Sequence, residues 1–185
     1  MKTAVIAIAA VCMTFAAVTV ADSQTPYAGL QTRSIKALSE KQIADLRAGK
    51  GMSLALAAEL NGYPGPAHVL ELSDRLGLTP VQRERVTAEF KKMQTEASAL
   101  GEQIIAQEAE LDRLFADRTM TPASLQAVTD RIAILNAQLR RAHLAYHLTT
   151  RDLLNPEQNA RYAELRGYGG APRHHDGMHH HHGKH

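Results

Sequence analysis

Residues 86–114 decide the fold, and they read VTAEFKKMQTEASALGEQIIAQEAELDRL. Their core positions recur alternately four and three residues apart, and only Gln107 among them is polar. These positions are 86, 90, 93, 97, 100, 104, 107, 111 and 114. A mean spacing of about 3.5 residues is the heptad period of helices that pack lengthwise against a partner. This stretch therefore predicts a long α-helix with one apolar seam.

A second seam lies in residues 125–153, LQAVTDRIAILNAQLRRAHLAYHLTTRDL. Its positions are spaced three and four residues apart, at 125, 128, 132, 135, 139, 142, 146, 149 and 153. The two series mirror each other about residues 119 and 120, which places Ile104 opposite Leu135 and Ala97 opposite Ala142. This symmetry predicts a long antiparallel helical hairpin. Two helices are too thin to bury a core, so we expect shorter helices, or a second copy of the chain, on the flank.

Capping signals set the helix boundaries. Thr79-Pro80, Thr121-Pro122 and Asn155-Pro156 each place an N-cap residue before a proline at the first helical position. They predict helices over about 80–117, 122–153 and 156–166. A capping box of Ser39 and Gln42 opens a further helix towards residue 60, with glycines at 49 and 51 as breaks, and a short helix over 66–76 follows. No alternating pattern indicates a strand, so the fold class is all-α.

The two ends of the chain differ from this helical centre. Residues 1–21 have a positive start, an uncharged Ala-rich run and a small residue at Ala21, which is the pattern of a secretory signal peptide. A retained membrane anchor is the alternative, because the apolar run approaches the length of a bilayer span. We interpret residues 22–38 as an extended lead-in, 39–168 as the helical domain and 169–185 as a flexible His-rich tail.

Composition argues against several classes of protein. The single cysteine, Cys12, cannot form a disulfide within the chain. A net charge of +2, from 21 basic and 19 acidic residues, does not favour nucleic-acid binding. The sequence has no Gly-rich phosphate loop, no HExxH motif and no cysteine after the signal. We therefore expect a protein that is not an enzyme and has no nucleic-acid partner.

Two five-residue motifs carry a family resemblance. Leu78-Thr79-Pro80-Val81-Gln82 and Leu154-Asn155-Pro156-Glu157-Gln158 resemble the paired LTxxQ motifs of the Spy/CpxP family of periplasmic chaperones, to which the periplasmic heavy-metal sensor proteins are related. Asn155 departs from the pattern but caps a helix as well as Thr does. We interpret Leu78, Thr79, Gln82, Leu154, Asn155 and Gln158 mainly as helix caps that close the hairpin.

The resemblance carries expectations beyond the fold. It implies a periplasmic protein that dimerises into a curved cradle and does no chemistry. Its partners would be unfolded or misfolded envelope proteins, or the periplasmic domain of a sensor kinase.

Histidines are the unusual feature of the composition, and seven of the ten lie in the last twelve residues. On the second hairpin helix, His143 and His147 are four residues apart and share one face, a common metal-ligand spacing. The mirrored register places them on the flank, opposite Glu96 and Lys92. Two flank histidines without a metal are the alternative.

The tail offers more ligands, namely His174, His175, His179, His180, His181, His182 and His185. Such a tract binds Zn²⁺, Cu²⁺ or Ni²⁺ through neutral imidazoles, and Met178 adds a thioether suited to Cu(I). An expression tag is the alternative, although the tract is interrupted by Asp, Gly, Met and Lys. No metal is expected to be needed for the fold.

Three functions follow from these features. The first is an exported chaperone or envelope-stress accessory with a metal-binding tail, supported by the motifs and the hairpin. The second is a periplasmic heavy-metal sensor or metal buffer, supported by the histidines. The third is a purely structural envelope protein.

Overall fold

The computed structural model describes residues 27–168, so the predicted signal peptide and the His-rich tail both lie outside the described residues. This part of the chain is all-α, as predicted: it holds no strand, only an isolated bridge between Ile35 and Leu38. A 3-10 turn at Leu30–Thr32 precedes six helices: α1 (Glu40–Arg47), α2 (Leu56–Glu59), α3 (Pro66–Glu71), α4 (Pro80–Ala116), α5 (Pro122–Leu153) and α6 (Pro156–Leu165). Within residues 27–168, no helix combines the length and apolarity that a bilayer crossing requires.

The long hairpin is confirmed. Helices α4 and α5 have 37 and 32 residues, which corresponds to about 55 and 48 Å. Ile104 and Leu135 are both almost fully buried and belong to one apolar cluster. A hydrogen bond from Arg131 Nη2 to Gln103 Oε1, 3.3 Å long, joins the helices near that pair. The mirrored seam therefore predicts the register correctly.

The seam departs from the predicted heptads towards its ends. Thr149 is exposed, whereas Thr150 beside it is fully buried and donates its hydroxyl hydrogen to the carbonyl of Tyr146. A straight α-helix has 3.6 residues per turn, so it drifts by about 20° per heptad from a strict 3.5 repeat. At the tip of the hairpin, Leu125 is 39% exposed. Burial of the seam is thus concentrated in the half of the hairpin that other elements cover.

The short helices end earlier than predicted. The expected helix from Ser39 to residue 60 is interrupted after Arg47, because Gly49 takes a left-handed φ of +62°. Only Leu56–Glu59 resumes as α2. Helix α3 stops at Glu71 rather than near residue 76, and turns then continue to Gly77, which also has a positive φ.

These short elements form a third layer that covers the hairpin from its open end to beyond its midpoint. Helix α1 packs on α4, and Gly101 permits a close approach, because a Cβ there would lie 2.3 Å from the carbonyl oxygen of Leu46. Ile35 and Leu38 join the same buried cluster. The segment interpreted as a lead-in therefore contributes to the core before the expected boundary at residue 39, since its two apolar side chains pack against α1 and α4.

Both LTxxQ-like motifs form capping boxes at the open end of the hairpin. Thr79 accepts the backbone N–H of Gln82, and Asn155 accepts that of Gln158. The two glutamines also bond to each other, with Gln82 Nε2 2.8 Å from Gln158 Oε1. The starts of α4 and α6 are thereby joined above a second apolar cluster that contains Val86, Leu154 and Tyr162.

Candidate functional site

All three histidines of residues 27–168 line one cavity of about 310 Å³. We call it the histidine cavity. It lies between the hairpin and the third layer, and its polar or sulfur-bearing lining comprises His68, His143, His147, Glu59, Ser53, Met52 and Met93. None of the six motif residues lines it. The cap motifs and the histidines thus form separate parts of the molecule.

His143 and His147 lie on a face of α5 that the third layer covers. The two side chains are buried, with residue exposures of 2% and 8%. Residues 51–66 pack over this face of α5. The register of the two hairpin helices alone cannot predict where these residues pack. Tyr146, rather than His143, reaches Glu96, with its hydroxyl 3.2 Å from Oε2.

His147 is held in a defined tautomer. Its Nδ1 lies 2.6 Å from the backbone carbonyl oxygen of Tyr63, which can only accept a hydrogen bond. Nδ1 therefore carries the proton, and in the neutral ring Nε2 keeps its lone pair. A Cβ added at Gly65 would lie 2.9 Å from that Nε2, so the glycine leaves the space beside it open. A backbone carbonyl on one ring nitrogen is the usual way in which proteins orient a metal-binding imidazole.

His143 has an unsatisfied nitrogen. Its Nε2 is buried and has no hydrogen-bond partner, which costs about 1–3 kcal/mol in a folded protein. Burial lowers the pKa of His143, and the neighbouring His147 lowers it further, while Glu96 acts in the opposite direction. The ring is therefore neutral at physiological pH, which is the form that binds metals.

Glu59 supplies a buried negative charge. Oε1 accepts hydrogen bonds from the hydroxyls of Tyr162 and Tyr168, and Oε2 accepts the backbone N–H of Gly65. Burial alone would raise its pKa, but hydrogen bonds from its neighbours, and above all the positively charged form of His68, lower the pKa to about 2. The carboxylate is thus ionised.

Two histidines and one arginine lie beside this carboxylate. His68 Nδ1 lies 3.3 Å from Oε1, Arg166 Nε lies 3.6 Å from Oε1, and His147 Nδ1 lies 3.7 Å from Oε2. The His68 contact has an ion-pair distance without hydrogen-bond geometry, so Nδ1 of His68 is also unsatisfied. Sequence reasoning missed Glu59. The available signal was a lone carboxylate in the otherwise apolar run LALAAEL at 54–60.

A strained segment borders the cavity. We call residues 51–55 the strap. Met52 and Ser53 take left-handed φ values of +41° and +65°, which non-glycine residues rarely adopt. The strap passes close to His143, since a Cβ at Gly51 would lie 3.8 Å from its Nδ1. Strain of this kind often accompanies ligand clamps.

The cavity residues fit a metal ion in chemistry but are not a preassembled site. Two imidazole nitrogens lack partners, and His147 is oriented by a backbone carbonyl, as metal ligands require. However, no three His, Cys, Asp or Glu side chains within residues 27–168 converge at ligand distances. Binding would therefore need a shift of side chains or of the strap. The seven tail histidines lie outside the described residues.

A family model described as heavy-metal resistance matches residues 53–161, more than half of the chain. The chain therefore belongs to the heavy-metal resistance family, which is part of the Spy/CpxP-like group of helical proteins. The match includes the three cavity histidines, Glu59, Met93 and both motifs, and it excludes Gly51 and Met52 of the strap and the His-rich tail. Neither the curated proteins nor the solved structures gave a match to the chain.

Proposed function

We propose that this protein is an exported, non-catalytic metal-binding protein of heavy-metal resistance, and that the histidine cavity is its metal site. One observation carries the proposal: His68 of α3 meets His143 and His147 of α5 in a cavity where His143 Nε2 is buried without a partner. A buried imidazole nitrogen with no bond is costly. A metal ion would satisfy it.

The electrostatics of the cavity agree with a cation. Glu59 is ionised and faces two of the histidines from one side. His143 is neutral and offers a lone pair. The bound ion would be held by imidazole nitrogens, with Glu59 as a compensating charge beside them. The ion itself would supply no reaction here, only a change in the packing of the strap.

The loose arrangement of the ligands suits a protein that responds to metal rather than storing it permanently. Because the ligands do not converge in advance, part of the binding energy is consumed in moving them. Such a cost lowers affinity and makes exchange faster. We expect the tail histidines, from His174 to His185, to act as additional and weaker ligands that raise the metal concentration near the cavity.

Calorimetric titration of four full-length proteins with Zn²⁺, Cu²⁺ and Ni²⁺ tests this proposal. They are the native chain, a cavity variant (His143→Asn with His147→Asn), a tail variant with all seven tail histidines replaced by Asn, and the combination. The tail variant should keep one site that the combined variant loses. Equal heats for the tail variant and the combined variant would refute the cavity as a metal site.

Exposed apolar side chains on α5 favour a second function, the binding of unfolded proteins or of a partner chain. Ile134 and Leu148 lie on one exposed face of α5, and each is about half exposed, as is Phe115 near the tip. Exposed apolar side chains at heptad spacing suit the capture of unfolded envelope proteins, or contact with a second copy of the chain or with a sensor kinase. Suppression of aggregation of a denatured test protein, which Ile134→Glu with Leu148→Glu should abolish, distinguishes this chaperone activity from metal binding.

A further inference from the structure

Two thioethers face the histidine cavity. Met93 on α4 is 7% exposed, and yet it belongs to neither apolar cluster of the core. It lines the cavity together with Met52 of the strap. Methionine sulfur is a soft ligand that prefers Cu(I) to harder ions.

Oxygen donors are scarce in the same place. Glu59 is the only carboxylate among the described lining residues. Its oxygens already accept hydrogen bonds from Tyr162, Tyr168 and the N–H of Gly65. A metal that needed a carboxylate ligand would have to break these bonds. The side-chain donors that remain are imidazole nitrogen, thioether sulfur and the neutral hydroxyl of Ser53.

The charge of the cavity wall also favours a soft monovalent cation. Glu59 contributes one negative charge to the cavity wall, and Arg166 already lies near it. The cost of burying an ion rises steeply with its charge, so a monovalent cation is less costly to place here than a divalent one.

From these observations we propose that the histidine cavity is selective for a soft monovalent cation, Cu(I) or its analogue Ag(I), with Met93 and Met52 as ligands beside His143 and His147. This inference rests on the proposed function and names the class of metal. Met52 of the strap and Met93 of α4 line the same cavity. Met52 now lies 37% exposed on a strained backbone, and its inward movement would complete the ligand set.

The test uses the full chain with its seven tail histidines replaced by Asn and Met178→Leu, so that the tail cannot compete. Methionine methyl groups are labelled with ¹³C and assigned with Met52→Leu and Met93→Leu. One equivalent of Ag(I), or of Cu(I) kept reduced, should shift the methyl signals of Met52 and Met93. Met120, which lies near the hairpin tip and outside the cavity, is the internal control.

Affinity gives a second readout. Met93→Leu conserves side-chain volume and should keep the fold. It should weaken Ag(I) binding about 10- to 100-fold and leave Zn²⁺ binding unchanged, while Met120→Leu should alter neither. If Zn²⁺ binds but Ag(I) does not shift the methyl signals of Met52 and Met93, the soft-metal inference is wrong and the proposed metal site is still supported. Failure of every ion to bind would overturn both.

Discussion

The part of the α4–α5 hairpin beneath the third layer and the uncovered tip carry the same heptad pattern and differ in what covers them. Leu135, near the middle of α5 and beneath the third layer, is 1% exposed, whereas Leu125 near the tip is 39% exposed. The third layer buries the seam beneath it and also encloses His143 and His147, which the hairpin alone would leave on its flank. The best-buried part of the seam and the candidate site are therefore both covered by the same layer.

Truncation of one seam leucine beneath the third layer and of one at the tip should show the largest difference. Leu135→Ala leaves a cavity in a packed cluster and should lower the free energy of unfolding by about 2–5 kcal/mol. Leu125→Ala removes a side chain that water already reaches, and it should cost less than about 1 kcal/mol. Urea unfolding of both variants measures these values. Equal losses would show that the covered seam and the tip are packed alike.

Acid sensitivity should also be concentrated at the base. Glu59 titrates near 4.5 in the unfolded chain and near 2 in the folded one. Its stabilisation is therefore complete above pH about 5, and it is lost as the pH falls towards 2. The shift corresponds to about 3 kcal/mol. Glu59→Gln should lower stability at neutral pH and flatten its fall in acid.

The control for this change is Glu110→Gln near the tip. Glu110 pairs with Arg113 at the surface, where a salt bridge contributes little. Urea unfolding across a series of pH values compares the two variants with the native chain. An unchanged acid profile for Glu59→Gln would contradict an ionised, buried Glu59.

The smallest expected difference concerns the helix caps. Gln82 completes the capping box of α4 and also bonds Gln158 and the carbonyl of Leu153. Ser124 completes the box of α5 at the tip and bonds only neighbouring residues. Gln82→Ala should cost about 1–2 kcal/mol, and Ser124→Ala about 0.5 kcal/mol. Thermal unfolding in the same buffer compares the stability of the two variants. A larger loss of stability for Ser124→Ala than for Gln82→Ala would contradict the conclusion that Gln82 joins α4 to α6.

The sequence predicts the hairpin better than it predicts the third layer. N-caps followed by proline determine where α4, α5 and α6 begin, because local hydrogen bonds and the fixed φ of proline act within one turn. The seam determines the register. By contrast, Gly49 breaks the helix as the sequence indicates, but the path of residues 50–65 depends on contacts with distant helices, so the sequence does not predict that only Leu56–Glu59 resumes as a helix.

The candidate site likewise has features that the sequence predicts and features that depend on the third layer. The spacing of His143 and His147 correctly places both on one face of α5. Their burial, the position of His68 and the role of Glu59 depend on how the third layer folds over that face. No periodicity in the sequence encodes that arrangement. The role of the tail histidines stays a prediction.

The most direct test of the histidine cavity follows the ring nitrogens themselves. With the seven tail histidines replaced by Asn, the full chain retains only His68, His143 and His147, and ¹⁵N spectra of the three rings can be assigned by single His→Asn substitutions. Before metal is added, His147 should show a proton on Nδ1. One equivalent of Zn²⁺ or Ag(I) should then shift Nε2 of both His143 and His147. If neither ion moves those two signals, the cavity is not a metal site.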